Sequence, residues 1–267
     1  MDIPFDLLNI VASFHTKPRM KLLDWIPEDK LDWEYLSLNS NAIHMLEIVL
    51  QHDPKKIYWD ILSKNPNALH MLEANFEKID WYWLSENPNA IHMLEAHPSK
   101  IDWNQLSENP NALHILEANP EKINWNCLSK NPNALHMLEA NPTKINWKWL
   151  SQNPNALHIL EANPEKIIWE WLSINPNALH MLDANPMKIN WNYLSENHNA
   201  IHMLEANPTK IDWNFLSINP NALHILKANP TKINWSNLSE NPSIFEIDTK
   251  QTQIYIRKKA KDTYDYL

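Results

Sequence analysis

A 22-residue unit that recurs through most of the chain is the feature that most constrains its fold. Each unit begins at a tryptophan and has the form W-x-x-L-S-x-N-P-N-A-L-H-M-L-E-A-N-P-x-K-I-D/N, as in residues 103–124. The spacing is 22 residues from Trp59 onward, and only the interval from Trp33 to Trp59 is longer, at 26. A unit this short cannot bury its apolar face alone, so neighbouring units must stack. The chain is therefore predicted to be a solenoid.

Each unit is predicted to contain two short helices. The first begins after an Asp or Asn such as Asp102, which can cap it, and carries W-x-x-L-S. The second covers A-L-H-M-L-E-A, whose residues favour helix and follow a helical period. In this interpretation Asn109 caps the second helix and Pro110 occupies its first position. The next Asn-Pro, at 119–120, ends it.

A β-solenoid is the competing interpretation, because L-S-x-N-P-N-A-L resembles part of a leucine-rich repeat. Those repeats need an alternating strand, which A-L-H-M-L-E-A does not provide. The favoured fold class is all-α, an α-solenoid of about ten two-short-helix repeats with atypical N- and C-terminal caps. In the first unit the segment 48–53 adds four residues. We expect them to lengthen its second helix by about one turn.

The two ends depart from the repeat pattern, as the terminal units of a solenoid must. Residues 1–32 are predicted to form an N-terminal helical cap, residues 33–242 the repeat solenoid, and residues 243–267 a C-terminal cap and tail. The segment LLDWIPEDKLDW near the start already echoes the I-D-W junction of the repeat. In the tenth unit NPSIFEID (241–248) replaces the second-helix motif, and the polar tail is expected to cover its apolar face.

The composition excludes several function classes. The chain has no glycine, which glycine-rich phosphate loops and nucleophile elbows require. Its net charge of −9 disfavours binding to nucleic acid. No apolar run is long enough to cross a membrane, and no secretory signal is visible, so an intracellular protein that is not secreted is expected. Cys127 is the single cysteine, so it can form no intrachain disulfide and is not expected to be a nucleophile.

Repeated positions become columns on a solenoid, and the first column is histidine. One imidazole per unit cannot close a metal site, since neighbouring helices lie about 8–10 Å apart and zinc ligands about 2 Å from the metal. No metal or other cofactor is expected, and the histidines should bond to backbone or Asn of the adjacent unit. Glu and Lys also recur, five residues apart, and are interpreted as a solubilising charge ladder. The histidines are His44, His70, His92, His114, His136, His158, His180, His202 and His224.

A second column is informative because it varies. The tryptophan that opens each unit and the leucine three residues later are predicted to be core. Two residues after that tryptophan the identity changes from unit to unit, and a helical wheel places this position on a flanking or exposed face. Aromatic residues there are favoured at binding hot spots. The candidate partner-binding residues are Tyr35, Trp83, Trp149, Trp171, Tyr193 and Phe215. Packing between units is the alternative explanation for these side chains.

The repeat resembles a known family once its motifs are written out. W-x-x-L-S-x-N-P-N-A-I/L-H-M/I-L-E, K-L-L-D-W-I and N-P-S-I-F-E-I-D are similar to tandem-repeat proteins of giant DNA viruses of protists, the mimivirus-like viruses. That resemblance implies a protein acting in the host cytoplasm or packaged in a virion. I-P-F-D-L-L-N-I-V-A-S-F (3–14) resembles the first helix of an F-box, although the repeats begin too soon for a complete one.

These observations predict a non-catalytic scaffold for protein–protein interaction, with a host or viral protein as its partner. No paired carboxylates or triad stand out from the repeats, so enzyme activity is not expected. Two alternatives remain open. One is a structural or virion component that forms homo-oligomers by lateral self-association. The other is the substrate-recognition subunit of a cullin-type ubiquitin ligase, which depends on the F-box-like segment.

Overall fold

The computed structural model describes residues 18–265 and is built almost entirely from short helices, which agrees with the predicted α-solenoid. The F-box-like segment 3–14 lies outside the described residues. Ten first helices begin at the repeating tryptophan, and they are Trp33–Leu38, Trp59–Lys64, Trp81–Glu86, Trp103–Glu108, Trp125–Leu128, Trp147–Gln152, Trp169–Leu172, Trp191–Glu196, Trp213–Ile218 and Trp235–Glu240. Nine second helices follow, at Ile43–His52, Leu69–Glu73, Ile91–Ala96, Leu113–Glu117, Leu135–Ala140, Leu157–Glu161, Leu179–Asp183, Ile201–Ala206 and Leu223–Ala228.

The first helices that follow an Asp or Asn are capped as predicted, whereas those that follow Tyr58 and Ile168 have no side-chain cap. The side chain of Asp102 accepts hydrogen bonds from the backbone N–H groups of Asn104 and Gln105, each at 3.0 Å. These bonds satisfy donors that would otherwise have no partner in the first turn of the helix. The helix then ends at Asn109, whose backbone is extended.

The assignment of Asn109 as the cap of the second helix is wrong. Asn-Pro-Asn-Ala forms a turn closed by a bond from Ala112 N to Asn109 O, at 3.2 Å, and the second helix begins only at Leu113. The Asn109 side chain accepts from Asn111 N at 3.0 Å, and Pro110 occupies the position that this turn favours for proline. The Asn-Pro sequence, which was predicted to start a helix, therefore forms a turn here, because the side-chain amide of Asn109 is bound to the neighbouring unit.

Each unit also has a third element that the sequence did not predict, a single turn of 3-10 helix at P-x-K. These turns are Glu28–Lys30, Pro54–Lys56, Phe76–Lys78, Pro98–Lys100, Pro120–Lys122, Pro142–Lys144, Pro164–Lys166, Pro186–Lys188, Pro208–Lys210 and Pro230–Lys232, and a further one lies at Pro242–Ile244. The second helix does end before its Asn-Pro, as predicted. The lengthened helix of the first unit is confirmed too, since Ile43–His52 has 10 residues where other second helices have 5 or 6.

The core is a column of small and branched side chains between the two sets of helices. Leu106, Ala112 and Leu116 of one unit have no exposed surface, and their equivalents in the other units are buried in the same way. Ser107 and Asn109 are equally buried, and each is hydrogen-bonded. The buried polar groups thus link the units while the leucines and alanine fill the space between the helices.

The ten units close into a ring. Each buried asparagine donates from Nδ2 to two backbone oxygens of the preceding unit, as Asn109 does to Ser85 O at 3.0 Å and Asn87 O at 2.9 Å. The first unit makes the same bonds to the tenth, from Asn39 to Ser239 O at 2.8 Å and to Asn241 O at 2.9 Å. The first helices of these two units pack together as those of consecutive units do.

The N-terminal segment completes the tenth unit. In the sequence, K-L-D-W (30–33) matches the K-I-D-W junction of the repeat, with Pro27 one residue earlier than the usual proline, and Glu28–Lys30 forms the corresponding 3-10 turn. A strand Met20–Leu22, here β1, pairs antiparallel with Phe245–Ile247, here β2, so that Lys21 faces Glu246. The tenth unit is therefore assembled from both ends of the described chain. The apolar face of the tenth unit, which the tail was predicted to cover, is covered by the first unit. The tail forms a helix, Thr249–Asp265.

The first helices line the inside of this ring. They pack on each other directly, whereas neighbouring second helices touch mostly through side chains. Elements nearer the axis of a ring must lie closer together. With neighbouring helix axes about 8–10 Å apart, ten first helices form a circle of about 13–16 Å in radius. We call the inward surface of the first helices the inner wall. The alternating strands that a β-solenoid needs are absent from residues 18–265.

Candidate interaction surface on the inner wall

The variable column lies on the inner wall, and four of its aromatic side chains form a continuous row of contacting rings. Ring centroids are 5.2 Å apart for Trp149 and Trp171, 5.1 Å for Trp171 and Tyr193, and 5.5 Å for Tyr193 and Phe215. All four side chains are partly exposed. These distances are typical of favourable aromatic pairs. We call these four residues the aromatic arc.

The other two candidate residues lie apart from the aromatic arc. Trp83 contacts Tyr82 edge-on at 5.0 Å and has the Lys64 ammonium 5.1 Å from its ring centroid. Tyr35 is 36% exposed and lies at the first unit. Gln105 and Cys127 occupy the column between Trp83 and the aromatic arc, so the aromatic surface is interrupted there. The structure thus unites four of the six candidates.

Sequence reasoning missed a second variable column, the residue that follows the buried serine in L-S-x-N. It lies three positions after the first variable column, so both occupy one face of the helix. The signal was available, because this position also changes while its neighbours do not. The residues are Leu38, Lys64, Glu86, Glu108, Lys130, Gln152, Ile174, Glu196, Ile218 and Glu240.

Ion pairs join four of these side chains between neighbouring units. Lys64 Nζ lies 3.1 Å from Glu86 Oε1, and Lys130 Nζ lies 2.7 Å from Glu108 Oε2. The Glu86 and Glu108 side chains are only 16% and 18% exposed. Opposite charges on adjacent units therefore neutralise one another on this half of the inner wall.

Glu196 and Glu240 have no such partner among residues 18–265. Burial raises the pKa of Glu196 to about 7, and the negative charge of Glu240, two units away, adds to the effect. Burial also raises the pKa of Glu240, while the positive charge of Lys64 opposes that increase. Both shifts follow from placing carboxylates where water cannot fully solvate them. Groups two units apart influence each other because the inner wall converges on the ring axis.

Cys127 is partly buried beside the ion pair of Lys130 and Glu108. Burial and, to a smaller extent, the nearby Glu108 carboxylate together raise the pKa of its thiol to about 11. The thiol is therefore protonated at neutral pH, and the thiolate is the form that reacts as a nucleophile or binds metal.

The histidine column lies on the outside of the ring and bonds to glutamate. His114 Nε2 lies 2.9 Å from Glu95 Oε1 of the preceding unit, with both side chains more than half exposed. The expected partner, backbone or Asn, was wrong, although the bond does reach the adjacent unit. In the described part of the chain no three His, Cys, Asp or Glu side chains are arranged to hold a metal ion.

Most of the repeated lysines also contact tryptophan, which the predicted charge ladder did not include. The Lys122 ammonium lies 4.3 Å from the ring centroid of Trp103 in the same unit, a cation–π distance. The pattern continues across the closure of the ring, where Lys30 lies 4.8 Å from the Trp235 ring centroid. The opening tryptophans are partly buried and pack against the core, with this lysine over one face.

No known protein family, no curated protein and no solved structure matches this chain. Within residues 18–265 no helix combines the length and the hydrophobicity needed to cross a membrane.

Proposed function

We propose that the protein is a non-catalytic scaffold that holds a protein partner on the inner wall of its ring. The observation that carries this proposal is that two of the positions that vary from unit to unit lie together on the inner wall. Positions that build the core and link the units repeat with little change. A surface that varies on a constant framework is free to match one partner.

The aromatic arc is the part of this surface best suited to bind. Large, partly exposed aromatic side chains contribute most of the energy at many protein interfaces, with losses of about 2 kcal/mol or more on truncation. Trp149, Trp171, Tyr193 and Phe215 belong to consecutive units, so one partner segment can contact all of them. Met187 is the most exposed large apolar side chain of the described residues, at 96%, and a single exposed apolar residue is ordinary on a protein surface.

The resemblance to giant-virus repeat proteins suggests where such a scaffold acts. The partner is then a host or viral protein in the host cytoplasm or the virion. If the segment 3–14 serves as an F-box, the ring would present its partner to a cullin-type ubiquitin ligase.

The test compares capture by two variants with the same kind of change. Trp171→Gln/Tyr193→Gln removes the centre of the aromatic arc, and glutamine is compatible with the fold because Gln105 occupies the equivalent position. Tyr58→Asn removes an aromatic residue that is 42% exposed and restores the usual residue of that position. Proteins retained from a lysate of infected cells are compared by quantitative mass spectrometry.

We expect to find a protein partner that is retained equally by the wild type and by Tyr58→Asn. The aromatic-arc variant should bind this partner about thirtyfold more weakly. Thermal melts show that both variants are folded. Equal retention of every protein by the two variants would exclude the aromatic arc as the binding surface.

A further inference from the structure

The charges of the inner wall are unbalanced next to the aromatic arc. Its second variable column carries two lysines and four glutamates. Both lysines are committed to ion pairs with Glu86 and Glu108. Glu196 and Glu240 are left without an ion pair among the described residues, although both are partly buried. A partly buried carboxylate without a partner is poorly solvated, so a cation that reached this position would be bound favourably.

Glu196 lies on the same helix face as the aromatic arc. It follows Tyr193 by three positions, and the Tyr193 ring stacks on Trp171 and meets Phe215 edge-on. Aromatic faces and a carboxylate on one surface form the combination that attracts ammonium and guanidinium groups. The residues at Glu196's position in the two flanking units, Ile174 and Ile218, are apolar and reduce screening by water.

A lysine of the chain already uses one end of the aromatic arc in this way. The Lys148 ammonium lies 4.9 Å from the Trp149 ring centroid and 4.5 Å from that of Trp171. In the described part of the chain no lysine or arginine lies over Tyr193 or Phe215. The end of the aromatic arc beside Glu196 is therefore open to a cation from another molecule.

We infer that the inner wall at Tyr193, Phe215, Glu196 and Glu240 binds a lysine or arginine side chain presented by a segment of the protein partner. This inference rests on the proposed function and specifies the chemistry of the partner. A metal ion is a poorer fit, because two carboxylates with no third ligand of that kind do not complete a coordination shell. A basic side chain needs only one carboxylate and an aromatic face.

The site should release its cation as the solution becomes acidic. The carboxylate attracts a cation only when it is ionised, and with its pKa at about 7 Glu196 loses that charge between pH 8 and pH 6. The charged group that faces Glu196 is Glu240, which raises the pKa of Glu196. Lys64 acts indirectly, because it lowers the pKa of Glu240. The neighbouring helices contribute Ile174 and Ile218, which do not titrate.

The experiment uses a short fluorescein-labelled Gly/Ser peptide with two arginines, and its counterpart with neutral citrulline in their place. Binding to the full chain is followed by fluorescence anisotropy at pH 8 and about 0.15 M salt, where exposed charges are screened beyond about 8 Å. Glu196→Gln/Glu240→Gln removes the site. Glu121→Gln/Glu165→Gln changes the net charge equally, at two exposed positions in 3-10 turns.

We expect the citrulline peptide and the Glu196→Gln/Glu240→Gln variant each to weaken binding at least about tenfold. Glu121→Gln/Glu165→Gln should keep the affinity within about twofold, and the wild type should bind less tightly at pH 6. No saturable binding of the arginine peptide, or equal losses in the two double variants, would overturn the inference.

The same variants separate this inference from the proposed function. If the partner captured through the aromatic arc is still retained by Glu196→Gln/Glu240→Gln, the scaffold stands and the basic side chain is rejected. If the arginine peptide binds as expected while Trp171→Gln/Tyr193→Gln loses no captured protein, the site stands and the scaffold function is rejected.

Discussion

Glu196, on the inner wall, affects the stability of the folded protein as well as the proposed binding of a cation. Its carboxyl has an ordinary pKa of 4.5 that rises to about 7 in the folded protein. The folded state thus binds a proton more tightly than the unfolded chain does. The contribution of this group to the stability of the folded state must therefore fall as the pH rises from about 4.5 through 7. Over this range the folded protein has to ionise a poorly solvated group.

Replacing this carboxyl with an amide should stabilise the protein at alkaline pH. Glutamine resembles the protonated acid and never ionises, so Glu196→Gln should raise the free energy of unfolding at pH 8 by about 2 kcal/mol, after allowance for its remaining solvent contact. The gain should vanish near pH 4.5. Urea titrations of both proteins at the two pH values measure it. A variant that is equally or less stable at pH 8 would contradict the buried, uncompensated carboxylate.

Individual residue roles were only partly predictable from the sequence. The columns were visible from periodicity, and Asp102 was recognised as a cap because capping is a local interaction. The partner of His114 was assigned wrongly, since it depends on how far one unit is displaced from the next. Periodicity shows that a residue recurs but does not show which residue of the next unit it meets.

The helices of this protein depend on the neighbouring units for their stability. Helices of 4 to 6 residues are too short to be stable alone in water. They are held by the buried leucine and alanine column and by the buried asparagines equivalent to Asn109, which we call the asparagine ladder. Asn109 has no exposed surface, and its amide satisfies two backbone oxygens of the preceding unit. These oxygens lie at the end of a helix, where carbonyl groups lack partners within the helix.

Truncating a ladder asparagine should therefore be costly. Asn109→Ala leaves Ser85 O buried without its donor and Asn87 O with only the turn bond from Ala90 N. We expect the free energy of unfolding to fall by about 1–3 kcal/mol. The matched control is Asn111→Ala, because exposed Asn111 makes a single inter-unit bond, to Pro88 O at 2.8 Å. Its loss should cost less than about 1 kcal/mol, since water can replace that donor. Equal losses in urea titrations of the two variants would show that the ladder does not hold the units together.

Closure of the solenoid is the property of the whole molecule that the sequence did not reveal. A ring of ten units requires a turn of about 36° per unit, and this angle is set by small packing differences that repeat around the solenoid. The aromatic arc faces inward for the same reason, so its place on the inner wall could not be predicted either. One signal was present. Residues 30–33 match the K-I-D-W junction that ends each repeat, and the tenth unit lacks that junction.

A disulfide across the closure tests the ring directly. Met20 and Ile247 oppose each other in the pair of β1 and β2, so Met20→Cys/Ile247→Cys in a Cys127→Ser background should oxidise to an intrachain disulfide without distortion of the strands. The bond closes a loop that includes all ten units, and we expect it to stabilise the protein by about 2–4 kcal/mol relative to its reduced form. Non-reducing electrophoresis and thermal melts with and without reductant measure both effects. In an open solenoid the two ends would lie far apart, so dilute protein would then give free thiols or intermolecular dimers and no gain in melting temperature.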